Sequence, residues 1–263
     1  RIRNLAAHMA ATPTMIAVNW GLQRAHHGEQ PIWAGLALAA MLGQIGQPGC
    51  GFGFGYGSST HIGRGVRTIA WPAFPQGDNA VNDFIPVARI ADMLLNPGGS
   101  YLYNGAERHY PDARMVYWAG GNPFHHHQDL NRLEDAWRRP ETIIVHDHSW
   151  TATARRADIV LPSTSALERD DMMINSRDKA LIYMSAALPP FAQSRDDHQI
   201  FADLANRMGV GSAFTEGRDT IEWLEWLWQG CRSTASTAGI ALPDIDGFRE
   251  TGRIDLVALD EDR

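Results

Sequence analysis

Asn122 stands behind a pair of glycines, Gly120-Gly121, at the end of the apolar run Arg114 to Tyr117, and His125-His126-His127 follow it. Glycine admits the tight turns in which backbone comes close to a ligand, and the first N–H groups of a following helix attract anions. The Asn122 amide both donates and accepts. The chemistry on offer is recognition of a nucleotide-like ligand at the junction of a strand and a helix. Two further apolar runs end in polar residues. One closes on Asn19-Trp20-Gly21-Leu22-Gln23-Arg24, the other on His146-Asp147-His148-Ser149-Trp150. Ligands of open α/β sheets bind at the carboxyl ends of strands, so three such ends along one sheet edge describe a binding groove.

Each residue has a plainer reading. Arg24 is either a solvated charge or a binder of phosphate or an acidic group. Trp20 is either core or a platform for a planar ring. The three consecutive histidines, with His146 and His148, invite zinc. Neighbours on one helix start point in different directions, however, and neither an HExxH nor a CxxC pattern is present. Helix capping and hydrogen bonding to a ligand fit them better. Gly51-Phe52-Gly53-Phe54-Gly55-Tyr56-Gly57 echoes a dinucleotide fingerprint, but it follows a helical pattern and leads into more loop, the reverse of what that fingerprint needs. Residues 49–67 therefore read as a glycine-dense loop. Glu168-Arg169-Asp170-Asp171 and Arg177 come after the strand-like Asp158 to Leu161 and its Pro162 stop. They make either a solvated turn or part of a ligand's surroundings.

These residues need elements to carry them. A helix is expected over 3–11, a strand from Thr14 to Asn19, and a strong helix from Pro31 to Ile45. Others are expected over 84–95, 128–138, 151–156, 197–208 and 219–230, with strands at 114–118, 142–146 and 158–161. This alternation of strands and helices predicts an α/β fold, a mostly parallel sheet with helices on both faces. Of the 263 residues 44% are hydrophobic, which suffices for a sizeable core. The formal charge of -7, from 30 acids interspersed with 23 bases, offers neither a nucleic-acid groove nor a polybasic membrane patch. No apolar run is long enough to span a bilayer. Two cysteines, Cys50 and Cys231, make no disulfide framework. Arg1-Ile2-Arg3 falls inside a helical pattern without an initiating methionine, and Ile254 to Arg263 does not look like a natural stop. The chain reads as a piece of a longer protein.

Taken together, several segments resemble the molybdopterin oxidoreductases of the dimethyl sulfoxide reductase family, and among them the S- and N-oxide reductases. They are Trp20 to Arg24 with His27-Gly28-Glu29-Gln30, Gly43-Gln44-Ile45-Gly46 with Pro48-Gly49, and Gly120-Gly121-Asn122-Pro123 with His125 to Asp129. Trp150-Thr151-Ala152-Thr153-Ala154 and Ala157 to Pro162 complete the set. The likeness runs from about residue 1 to 210.

The resemblance implies a Rossmann-like domain over residues 1–210 that binds molybdopterin guanine dinucleotide, with 211–263 a helical extension or linker toward a further domain. It implies a cofactor of molybdenum held by two molybdopterin guanine dinucleotides, and reduction of small S-oxides or N-oxides. By the same resemblance Trp20, Gly21, Arg24, Gly120, Gly121, Asn122, His146, Asp147, Ala166, Leu167 and Arg177 line the dinucleotide, with Asp147 on guanine or ribose. No catalytic residue and no molybdenum ligand is expected within the chain, which by itself should be inactive. The electron donor and the choice between periplasm and cytoplasm stay open. A stand-alone nucleotide-binding module and a zinc hydrolase built on the histidines are the rival readings.

Overall fold

The computed structural model describes residues 1–25, 27–55, 69–78, 80–81, 83–176, 178 and 180–256. The chain divides into two compact units, Arg1–Arg67 and Thr68–Arg263.

The first unit begins with helix α1 (Ile2–Ala11), then strand β1 (Met15–Val18) and a 3-10 turn over Trp20–Gln23. Helix α2 (Glu29–Met41) leads to strand β2 (Gly51–Phe54). β2 pairs in parallel with β1, from Met15 opposite Gly51 to Val18 opposite Phe54. This corrects the loop expected at 49–67: Gly51–Phe54 within it are a strand. Alternation explains why they were missed. Gly51 and Gly53 occupy the buried positions, so the strand carries no β-branched signature on its inward face, and its identity comes from the ladder to β1. Tyr56 to Thr68 lie outside the described residues.

The second unit holds helix α3 (Ile90–Leu95), the hairpin β3 (Ser100–Tyr103) and β4 (Ala106–His109), and strand β5 (Met115–Ala119). Helices α4 (Pro123–His126) and α5 (Leu130–Trp137) follow, then strands β6 (Thr142–Asp147) and β7 (Ile159–Pro162). β5, β6 and β7 form one parallel sheet in that order, with Ala119 opposite His146 and Asp147 opposite Pro162. The period of two sends alternate side chains to opposite faces. Val116, Trp118, Ile143 and Val145 pack with Leu94 of α3 and with Leu133, Ala136 and Trp137 of α5. Tyr117 and His146 face the other way, their rings 5.6 and 4.9 Å from Phe201. Phe201 belongs to helix α6 (Asp197–Arg207), so this sheet is covered on both faces.

The rest of the unit is a second layer. Strands β8 (Asp171–Met173) and β9 (Ala180–Met184) precede α6. Helices α7 (Gly211–Thr215), α8 (Thr220–Thr237) and α9 (Ile245–Thr251) and strand β10 (Arg253–Asp255) follow it. β8, β9 and β10 pair antiparallel. Their core joins Leu181 and Tyr183 to Trp228, Cys231 and Phe248, with the Trp228 and Phe248 rings stacked 4.0 Å apart. α8 starts at a capping box: Asp219 accepts from the Glu222 N–H at 2.9 Å and Glu222 accepts from the Asp219 N–H at 2.8 Å. The helix outruns its expected end near residue 230.

The expected fold therefore needs two corrections. Among the described residues the strands divide evenly between parallel and antiparallel sheets, so the fold is mixed α/β and not mostly parallel. Nor do the three polar strand ends share one sheet edge: β1 pairs with β2, while β5 and β6 belong with β7. Alternation along a chain says which segments are strands, not which sheet each one joins. No helix among the described residues is long and apolar enough to cross a membrane.

Candidate functional site

The carboxyl ends of β5 and β6 carry the most developed polar arrangement in the second unit. β5 runs into Gly120 and Gly121, whose φ angles of 84° and 80° lie in the left-handed region. A Cβ added to Gly120 would meet no heavy atom within 4 Å, so this glycine is demanded by backbone conformation and it faces open space. Asn122 comes next and precedes Pro123 at the start of α4, where proline's missing N–H costs nothing. Its side-chain oxygen accepts from the hydroxyl of Thr153. Thr153 is fully buried and its oxygen also accepts from the Phe124 N–H at 3.4 Å. The Asn122 carbonyl oxygen is thereby fixed, and its NH₂ group is oriented.

Asp147, at the end of β6, is half-buried. One carboxylate oxygen accepts from the Ser149 N–H at 3.2 Å, the other from the Thr151 hydroxyl at 2.5 Å. Thr151 in turn accepts from the Ala154 N–H at 3.2 Å. Residues 151–153 thus brace both strand ends, Thr151 holding Asp147 and Thr153 holding Asn122. Neither threonine was among the expected site residues. The spacing Asp147-x-x-x-Thr151 was an available signal for the first, since a short polar side chain close after a strand-end carboxylate can fold back on it; Thr153, which bonds Asn122, had none.

His146 behaves otherwise. Its side chain is 1% exposed. Nε2 lies 2.7 Å from the Tyr117 hydroxyl and Nδ1 lies 2.7 Å from Asp197. Both ring nitrogens are occupied by protein, on the face turned toward α6.

After β7, Thr164 donates to Asp196 at 2.7 Å. Ala166 and Leu167 are exposed, and the Leu167 carbonyl accepts from the N–H groups of Ala187 and Leu188. Glu168 accepts from the N–H groups of Ser165 and Phe191, both at 2.7 Å. The Ser165 backbone bond first, then the Ser165 side chain and the Phe191 backbone, hold its carboxyl below the usual carboxylate range. Arg177 lies outside the described residues.

In the first unit the Trp20 N–H donates to Asn19 at 2.7 Å, and the Trp20 ring stacks on Phe54 at 4.9 Å. Gly55 permits that stack, because a Cβ there would come within 2.2 Å of the indole nitrogen. Gly21 is exposed, with no atom within 4 Å of a built Cβ, and Arg24 is exposed at the end of the 3-10 turn. The structure thus gathers Gly120, Gly121, Asn122 and Asp147 around residues 151–153, and Trp20, Gly21 and Arg24 around the end of β1.

His125 and His126 end α4 and His127 caps it, with the last two rings 5.3 Å apart. Among the described residues no three His, Cys, Asp or Glu side chains are grouped to hold a metal ion.

The molybdopterin oxidoreductase family profile matches residues 4–207. The chain belongs to that family. Among its relatives, biotin sulfoxide reductase of Cereibacter sphaeroides is 52% identical over 95% of this chain and 34% of its own length. Dimethyl sulfoxide/trimethylamine N-oxide reductase of the same organism is 44% identical over 97% of this chain and 32% of its own. Trimethylamine-N-oxide reductase of Haemophilus influenzae is 44% identical over 94% of this chain and 32% of its own. The chain thus spans about a third of the molybdopterin oxidoreductases it matches. Membership implies a molybdenum–molybdopterin cofactor.

Proposed function

We propose that this chain supplies a nucleotide cradle for molybdopterin guanine dinucleotide within an enzyme that reduces S-oxides or N-oxides. The observation that carries the reading is the braced pair of strand ends, with the Asn122 amide and the Asp147 carboxylate each oriented by a threonine of one loop.

The residues fit such a group. Open space above Gly120 admits a phosphate or ribose close to the backbone. Asp147 uses one lone pair on each oxygen for Ser149 and Thr151, and a carboxylate has about four acceptor sites, so acceptors remain for the N–H groups of a guanine edge. Asn122 offers its NH₂ donors. Ala166 and Leu167 present apolar surface after β7. At the end of β1 in the first unit, Trp20, Gly21 and Arg24 are proposed as a separate contact region, Arg24 providing a planar fork suited to phosphate. Arg177 is proposed to lie along the same guanosine, on the strength of family resemblance.

When bound, the molybdenum–pterin group supplies the oxygen-atom transfer by which an S-oxide or N-oxide is reduced. The chain's share is to bind and orient that group. The three relatives named above are reductases of such small oxides, which supports the substrate class. The chain alone is proposed to be inactive, since a two-dinucleotide group needs further walls.

The test is cofactor content in the intact protein. A charged hydrogen bond contributes ~1.5–3 kcal/mol, so its loss costs roughly ten- to a hundredfold in affinity. Asn122→Ala and Asp147→Asn should lower pterin and molybdenum content while circular dichroism stays unchanged. Full occupancy in both variants after dilution and mild heating would refute the cradle.

A further inference from the structure

The hydrogen-bonded chain Tyr117–His146–Asp197 sits directly behind the braced strand ends and touches neither of their outward groups. We propose that His146 is a positioning residue: bonded to Tyr117 and Asp197, it fixes the ends of β5 and β6 relative to α6 and so holds the two turns at the spacing a bound nucleotide needs. This inference rests on the cradle reading above.

The geometry supports it at each link. Tyr117 lies in β5 three residues before Gly120, and His146 is paired with Ala119, the last rung of the ladder before the glycine turn. Asp197 opens the first turn of α6. A ring held at both nitrogens therefore ties three elements together at the point where the sheet stops. Carboxylates only accept, so Nδ1 carries the hydrogen toward Asp197. Nε2 bonds the Tyr117 hydroxyl at 2.7 Å. Phe201 closes the face of the imidazole at 4.9 Å between centroids. The side chain is buried while Asp197 is 54% exposed, so the anchor runs from solvent through the histidine to the strand. Partners that orient a binding group without touching the ligand set its affinity as the binding groups themselves do.

The tests use the intact, cofactor-loaded protein. Long-range proton–nitrogen NMR of a sample labelled with 15N-histidine, assigned by the signals lost in His146→Gln, should show a hydrogen on His146 Nδ1. A bare Nδ1 would overturn the proposed bonding. Pterin retention after dialysis, measured per folded molecule, should fall about tenfold in Asp197→Ala and in Tyr117→Phe. Asp197→Asn should restore it, because the amide oxygen still accepts from Nδ1–H. Were Asp197→Asn as poor as Asp197→Ala, the effect would come from negative charge at the start of α6 and the positioning role would be wrong. Asn122→Ala and Asp147→Asn are measured alongside. Pterin lost from those two and kept in the Tyr117 and Asp197 variants sinks the positioning role and leaves the cradle standing. Pterin kept in all of them sinks both.

Discussion

Thr153 donates its hydroxyl hydrogen to the side-chain oxygen of Asn122 across a sequence distance of 31 residues, while its oxygen accepts from the Phe124 N–H. One buried hydroxyl thus sets the angle of the amide beyond the glycine turn and satisfies a backbone donor at the start of α4. The turn after β5 is held by the loop after β6, which makes the two strand ends a single unit of structure.

Replacing Thr153 with valine keeps shape and volume and removes both bonds. The Phe124 N–H and the Asn122 oxygen lose a buried partner, and each unsatisfied buried group costs ~1–3 kcal/mol. Thr153→Val should lower the denaturant midpoint without changing the slope of the transition. Thr153→Ser should recover most of the loss. Equal stability of the valine variant and the parent in a urea titration would show that the hydroxyl contributes nothing.

Asp129 caps α5, accepting from the Arg132 N–H at 3.3 Å, and its φ of 46° is left-handed. Asp129→Ala loses the cap and places alanine in a conformation it disfavours, for a cost of ~1–2 kcal/mol. Asp129→Asn, which caps and tolerates that φ, should cost far less. Thermal unfolding of the two variants measures the difference. Pterin content per folded molecule should be unchanged in both, because the Asp129 side chain is spent on the cap of α5, which α4 separates from the Asn122 turn along the chain.

Glu168 gives a pH dependence of known sign. Its carboxyl is held below the ordinary value near 4.5, first by the Ser165 N–H. A group with a depressed folded pKa adds stability above its unfolded pKa, and that contribution is lost as pH falls through the folded value. Unfolding midpoints measured downward from pH 5 should therefore fall more steeply for the parent than for Glu168→Gln. Parallel curves would remove Glu168 from the acid response.

How much of this was legible beforehand divides along physical lines. Strong apolar runs announced β5, β6 and α5, and the glycine pair announced the turn that Asn122 occupies. The hairpin of β3 and β4 was legible and overlooked. Its tip is Asn104-Gly105, both with positive φ, the pairing that two-residue hairpins favour. β2 was hidden because glycines fill its inward positions. Pairing across long separations left no local trace: nothing near His146 in sequence names Asp197 as its partner. The resemblance to the oxide reductases identified the family, and local pattern identified the strand ends. Thr153 needed coordinates, because a threonine between alanines looks the same whether its hydroxyl meets solvent or an asparagine 31 residues away.

Gly120 separates conformational strain from ligand approach. Its φ of 84° means that Gly120→Ala costs ~1–2 kcal/mol from backbone strain alone, and the open space around a built Cβ means that no clash adds to it. Asparagine tolerates positive φ better, so Gly120→Asn should recover much of that stability. If the glycine is also required for close passage of a phosphate or ribose, asparagine fails there, because its side chain fills the space the ligand would use. The expected outcome is a split: stability ordered glycine, asparagine, alanine, and pterin content reduced in both variants by a similar factor. Gly21→Ala is the companion measurement, at an exposed position that combines ordinary φ with open space. Its stability should stay within about 0.5 kcal/mol of the parent, as for most surface changes, while its pterin content falls if the end of β1 meets the cofactor. Pterin content that tracks stability across the Gly120 series would mean that the turn's shape serves folding only, and that the ligand does not approach it.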